Sequence, residues 1–285
     1  MDFFKKFPLV DFDIKKDGTV QQMVDIFRSV RPVEEFLDDP ATYSFYEIRN
    51  GERPDIVSTR LYGSPEFYWT FFVINEFLHD GYRAWPMSEE DLLEYLKTEY
   101  AGFAITTQPT FITEQADSIA GKFALGEVIT GNRSGAQGRL VKKNVDMNQL
   151  IVQDVTLGTA GIHPVTGTDP SVVGGAFIGN ITAGDNDSTE PIAGGTSGDV
   201  VASYRVFKYI DAPYYYYNTL DPDKKPVSNA AFLGDVAGTV SEGSLAFETY
   251  REHEIELNEE RSRIRYISPE FINQFVDKFE TLIND

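Results

Sequence analysis

The chain has 285 residues, 41% hydrophobic and 13% aromatic, which is enough apolar material for one or two packed domains. Its 45 acidic side chains against 25 basic ones give a formal net charge of -20, a surface that repels nucleic-acid phosphates and anionic membranes and suits docking onto basic protein patches. The absence of cysteine excludes disulfides, thiolate catalysis and cysteine-ligated metals. No apolar run of the signal-peptide kind follows the lysines near Met1, and the longest apolar stretch, Phe67 to Ile74, is too short to span a bilayer. Synthesis and folding in a cytoplasm are therefore expected.

Composition divides the sequence into three parts. Residues 1–109 are rich in aromatic and charged side chains with helical periodicity. Residues 110–205 are rich in Gly, Thr, Val and Ile, and read as a β-rich domain inserted into the other one. Residues 206–285 return to the first character. Met23, Ile26, Phe27 and Val30 recur at spacings of three and four, so Val20 to Val30 is predicted as a short amphipathic helix. Tyr43 to Ile48 alternates as a strand does, and Asn50-Gly51 supplies a turn. Asp55 is the predicted cap of a short helix that Gly63 stops. Ser64 then starts a second helix, with Pro65 at its first position and an almost wholly apolar run through Ile74. A third helix runs from Ser88 to Tyr100, with Ser88 and Asp91 resembling a capping box.

The middle third reads as short strands between glycine turns, at Val128 and Thr130, at Leu140, and from Leu150 to Val155, predicting a small β-sandwich or barrel. Phe123 to Gly131 is loosely echoed by Phe177 to Thr182, a weak sign of duplication. Beyond it, Leu245 to about Ser262 is predicted as one charged helix and Ile264 to Ile267 as a strand. Ser268-Pro269-Glu270 opens a last helix whose Phe271, Phe275, Phe279 and Ile283 form an apolar stripe. The fold class is α+β.

No catalytic constellation emerges, so an enzyme is not expected. His79, His163 and His253 lack metal-ligand spacing. Gly126 and Gly131 have phosphate-loop spacing, but Asn132-Arg133 replaces the required lysine and hydroxyl. Gly194 to Gly198 holds a serine without the nucleophile-elbow pattern. Asp185 to Thr189 begins like a calcium loop, yet Glu190 stands where that loop needs glycine. Glu89-Glu90 and Glu259-Glu260 are adjacent on helices and read as solvated surface. No cofactor or metal is predicted.

The run from Tyr46 to Gly51, through Ile56 to Gly63, to Phe72 to Asn75 resembles a LysM module at about residues 43–87. That resemblance implies a βααβ unit, two short helices on a two-stranded sheet, with Tyr62, Gly63, Pro65, Tyr68, Trp69 and Asn75 forming its core. Asp25-Ile-Phe-Arg28, Tyr62-Gly-Ser-Pro-Glu-Phe-Tyr-Trp69, and Trp85 followed by Ser88-Glu-Glu are together similar to a narrower family. This is the LysM-containing baseplate wedge protein family of T-even-type myophages, the fifty-third gene product. Asp211-Ala-Pro ahead of Tyr214, Tyr215, Tyr216 and Tyr217 resembles it too, as do Glu256-Leu-Asn-Glu-Glu260 and Ile272-Asn273 near the end. The likeness covers about 20–105 and 206–285.

Membership implies a non-enzymatic virion protein that joins wedge subunits to one another and around the central hub of a contractile tail. Other wedge and hub-proximal subunits are the implied partners, with no role for nucleic acid, membrane or cofactor. Tyr214 to Tyr217, Phe275 and Phe279 are candidate interface residues, with burial in the chain's own core as the competing reading. The alternative function is LysM-type binding of peptidoglycan, and the aromatic filling of the segment speaks against glycan binding.

Overall fold

A computed structural model describes residues 7–26, 28, 36, 38–107, 119–156, 177, 190–227 and 245–284. The chain divides into two compact units, one made of Met1–Leu92 with Glu256–Asp285 and the other of Leu93–Ile255. The expected limits at 110 and 205 both fall inside the second unit.

The first unit opens with a hairpin of β1 (Leu9–Phe12) and β2 (Gln21–Val24), with Leu9 opposite Val24 and Phe12 opposite Gln21. The helix expected over Val20 to Val30 is therefore corrected, since Met23 lies in a strand; Phe27 and Val30 lie outside the described residues. Turn chemistry overrides the spacing. The Asp13 carboxylate accepts from the Asp17 and Gly18 N–H groups, Asp17 accepts from Thr19, and Gly18 sits at φ +85°.

β3 (Tyr43–Glu47) leads to α1 (Pro54–Tyr62). Its N-cap is Arg53 rather than Asp55, because Pro54 has no N–H to satisfy and fits the first turn; Asp55 acts on the helix dipole from within that turn. Gly63, left-handed at φ 75°, ends the helix and donates its N–H to Thr59. The next segment divides where one helix was expected. Ser64 caps a single 3₁₀ turn at Pro65–Phe67, and α2 covers only Trp69–Ile74. Further 3₁₀ turns follow at Glu76–Leu78 and Gly81–Arg83. α3 (Glu89–Glu99) then crosses into the second unit. The Asp91 N–H donates to Ser88 Oγ, whose hydroxyl donates to the Asp91 carboxylate. Leu92 and Leu96 are buried while Leu93 is exposed.

The second unit is built on a closed antiparallel barrel. Its strands are β4 (Phe103–Thr107), β5 (Val128–Gly131), β6 (Gln137–Asn144), β7 (Gln149–Thr156), β8 (Pro191–Gly194) and β9 (Val200–Lys208). They run in the order β4-β7-β6-β5-β8-β9, and β9 pairs back onto β4. Closure leaves no strand edge open. Alternation sorts the side chains. Ile105 and Leu150, directly paired, join Ile129, Leu140 and Ile192 in the barrel core, whereas the neighbouring pair Ala104 and Ile151 packs with Tyr209, Ala212 and Tyr250.

A duplication is visible in this barrel. Glu127-x-Ile129-x-Gly131-x-x-Ser134-Gly135 recurs at a constant offset as Glu190-x-Ile192-x-Gly194-x-x-Ser197-Gly198. The Glu127 carboxylate accepts from the N–H groups of Thr196 and Ser197 and from the Ser197 hydroxyl. The Glu190 carboxylate accepts reciprocally from Arg133 N–H, Ser134 N–H and the Ser134 hydroxyl. Each isoleucine is fully buried, and Gly135 and Gly198 have φ of 70° and 73°. A Cβ on Gly131 would stand 2.5 Å from Glu190 Oε1, and one on Gly194 2.8 Å from Glu127 Oε2, so the latch requires glycine at both places. The echo expected at Ile178 to Thr182 lies outside the described residues; the described second copy begins at Glu190.

β10 (Pro213–Asn218) follows the barrel and lies between β11 (Pro226–Val227) and β12 (Leu245–Thr249) in a three-stranded antiparallel sheet. α4 (Tyr250–Ser262) carries the chain back to the first unit. The single helix expected from Leu245 is thus corrected. Its first residues pair with β10, and Thr249 with Glu252 forms a capping box in which each side chain accepts the other's backbone N–H.

The first unit closes with β13 (Arg263–Ile267) and α5 (Ile272–Asn284). β13 pairs antiparallel with β3, Ile264 opposite Tyr46 and Ile267 opposite Tyr43. The second strand of the expected βααβ unit therefore comes from the far end of the sequence and not from within 43–87. Ile267 packs in a core cluster with Phe36, Trp69, Ile74 and the buried face of α5, while Ile264 joins Ile48, Val57, Phe71, Leu78 and Trp85.

Candidate functional site

Of the residues singled out by the LysM resemblance, Trp69 and Asn75 are buried in the first unit, Tyr62 and Tyr68 are half-buried, and Gly63 and Pro65 are exposed. The Tyr62 ring lies against Phe67 and Phe71, and its hydroxyl donates to the Ile267 carbonyl at 2.9 Å. Burial pushes that phenol above its ordinary pKa. Gly63 and Pro65 make the corner between α1 and the 3₁₀ turn. Tyr68 rests on Tyr82, and Trp69 on Phe279 with ring centroids 4.7 Å apart. Buried Asn75 behaves like a piece of strand. Its Nδ2 donates to the carbonyls of Phe71 and Arg265, and its Oδ1 accepts the Arg265 N–H at 2.8 Å. Phe275 and Phe279 are 0% and 3% exposed, so their reading as interface residues is corrected: the four-residue period of α5 points them at Trp69 and Phe36.

The four tyrosines of β10 have four different settings. Tyr216 is buried against Phe247. Tyr214 stacks on His253 with ring centroids 3.9 Å apart, and is the most exposed of the four. Half-buried Tyr215 donates its hydroxyl to buried Glu248 at 2.6 Å, and the other Glu248 oxygen lies 3.1 Å from His253 Nδ1. Tyr217 lies beside Tyr215, 6.0 Å between rings, with the Lys224 ammonium over its face. Below this sheet Tyr100, Tyr209 and Tyr250 pack ring on ring. Burial raises all three phenols, and in Tyr100 the hydroxyl also donates to Glu254.

Two clefts open on these elements. One, of about 450 Å³, has Leu93, Tyr100, Phe103 and Ile210 as apolar lining and Lys97, Lys208 and the Arg251–Asp211 pair at its polar positions. The other, of about 330 Å³, lies beside Glu52 and Trp85. There the Glu52 carboxylate accepts from Tyr46 and from the Arg49 N–H and pairs with Arg60, while the Trp85 indole donates to the Glu52 carbonyl. Sequence reasoning passed over Glu52, although its place just after an Asn-Gly turn is where a carboxylate can fold back onto backbone N–H groups.

Among the described residues no three His, Asp or Glu side chains gather as metal ligands, and no helix is long and apolar enough to cross a membrane. His79 is exposed beside Asp80. His163 and the loop from Asp185 to Thr189 lie outside the described residues. The glycine runs at Gly126–Gly131 and Gly194–Gly198 serve the reciprocal latch. The side chains described at these places are engaged in packing and in closing turns.

Residues 1–111 match the family model described as base plate wedge protein 53. Over that segment, somewhat more than a third of the chain, the sequence is similar to a bacteriophage baseplate wedge protein. No curated protein matches the chain.

Proposed function

We propose that the chain is a wedge subunit of a contractile tail baseplate that joins wedge proteins to one another and around the central hub. It acts through protein contacts and performs no catalysis. The observation that carries this is the family match over residues 1–111, which takes in β1 to β4 and α1 to α3. Its partners are other wedge and hub-proximal subunits, it resides in the virion, and it assembles in the host cytoplasm. The match favours this reading over peptidoglycan binding, and Tyr62 and Trp69 are occupied in packing within the chain.

On this reading the β10 tyrosines contribute one contact. Tyr216 belongs to the interior and the Tyr215 hydroxyl is held by buried Glu248, while half-buried Tyr217 offers a partner a large ring area at low entropic cost. Complementation of a phage lacking the gene provides the test. Tyr217→Ser should leave thermal unfolding nearly unchanged and block incorporation into particles. Trp69→Ala should lower the melting temperature instead, since truncating a buried aromatic costs about 3–5 kcal/mol. Normal infectious particles from the tyrosine variant would remove β10 as a contact.

A further inference from the structure

The β1–β2 hairpin concentrates exposed apolar side chains. Leu9, Val10, Phe12, Ile14, Val20, Met23 and Ile26 are all exposed, Phe12 by 57%. Val10 stands directly opposite Met23, and Phe12 follows Val10 on the same face of the ribbon, so the three form one apolar surface. The other face carries Val24, which with Phe7 packs onto the core of the first unit. After the hairpin, Arg28 donates to the Ile283 carbonyl at the C-terminal end of α5, a favourable place for a cation. The base of the hairpin is thus fixed while its outer face is bare. Two-stranded ribbons are marginal in water without a surface to cover them, and exposed apolar patches mark sites of association.

Charge selects the occupant. Asp11, Asp13, Asp17 and Asp25 stand among these apolar side chains, against Lys15 and Lys16. The whole chain carries -20, so a second copy would meet like charge. We propose that the Val10–Phe12–Met23 face is a docking surface for a different subunit, one that presents an apolar patch bordered by lysine or arginine. The proposal rests on the baseplate reading and adds to it a named contact.

The test places a photo-reactive benzophenone side chain at position 12 of the full chain in phage particles. Irradiation should link it to another protein species, within a segment containing Lys or Arg. Links confined to the chain itself or to a second copy, links into an acidic segment, or no link at all overturn the proposal. A second variant guards against misfolding of the labelled chain. Phe12→Ser with Met23→Ser should melt like the parent, yet lose to it by about tenfold in competition for incorporation, as expected for an apolar anchor. Equal incorporation overturns the proposal. Mass spectrometry of unlabelled particles separates the two levels: a chain absent from particles removes the baseplate reading itself, and one present but unlinked at position 12 removes only this contact.

Discussion

Asn75 is the residue on which the first unit turns. Its amide takes the place of a strand neighbour for Arg265, with donor and acceptor both used and the side chain buried. Removing it leaves a part-buried N–H and carbonyl of β13 without this partner, and losing a hydrogen bond of this kind costs about 1 kcal/mol. Asn75→Ala should therefore lower stability in denaturant titration by at least one such increment. A loss within error would mean that β13 is held by β3 alone. Glu127 and Glu190 show the same economy in the barrel, where a carboxylate does for a turn what an N-cap does for a helix. Burial pushes the Glu127 carboxyl up, but donors from Ser197, Thr196 and Ala124 outweigh it and hold its pKa below the ordinary value. A depressed acid contributes stability that is present above its unfolded pKa and lost as pH falls through the folded one. Unfolding of the chain should thus become easier as pH drops below the ordinary glutamate range, and Glu127→Gln should flatten that part of the profile. An unchanged slope would show that the latch carries no linkage.

At the scale of elements, local signals decided starts and stops while partners decided identity. Gly63, Ser64 with Pro65, and Ser88 with Asp91 mark boundaries because capping bonds span a few residues. The Thr249–Glu252 box was equally local and would have separated β12 from α4. Periodicity was less dependable. The three-and-four spacing at Met23 and Ile26 occurs in a strand, because Asp13, Asp17 and Gly18 close a hairpin there. The same spacing along α5 holds, since Ile272, Phe275, Val276, Phe279 and Ile283 find a core to enter, while Leu282, off that stripe, stays exposed.

For the whole molecule, the division of the chain has a direct consequence. A fragment limited to residues 110–205 lacks β4 and the end of β9, the two strands whose pairing closes the barrel. A fragment from Ser88 to Ser262 keeps every barrel strand, the β10 sheet, α3 and α4. The longer fragment should melt cooperatively by circular dichroism, and the shorter one should not. A cooperative melt from the shorter piece would show that β4 is dispensable.

The α+β class, the strand at Tyr43, the helix stop at Gly63 and the cap at Ser88, the β-rich middle and the baseplate wedge likeness were all legible in the sequence, because they depend on composition, short-range bonds and motifs. Even the duplicated Glu-x-Ile-x-Gly-x-x-Ser-Gly segment was there to be read at a fixed offset. The tertiary structure alone decided that β13 and not a nearby strand completes the ladder with β3, that β9 closes on β4, that Phe275 and Phe279 point inward, and that Val10, Phe12 and Met23 point out. Each of these depends on a partner far away in the chain. Strand pairing and burial are properties of two surfaces together, and a stripe of apolar residues carries no mark of whether its complement lies within the same chain or on another subunit.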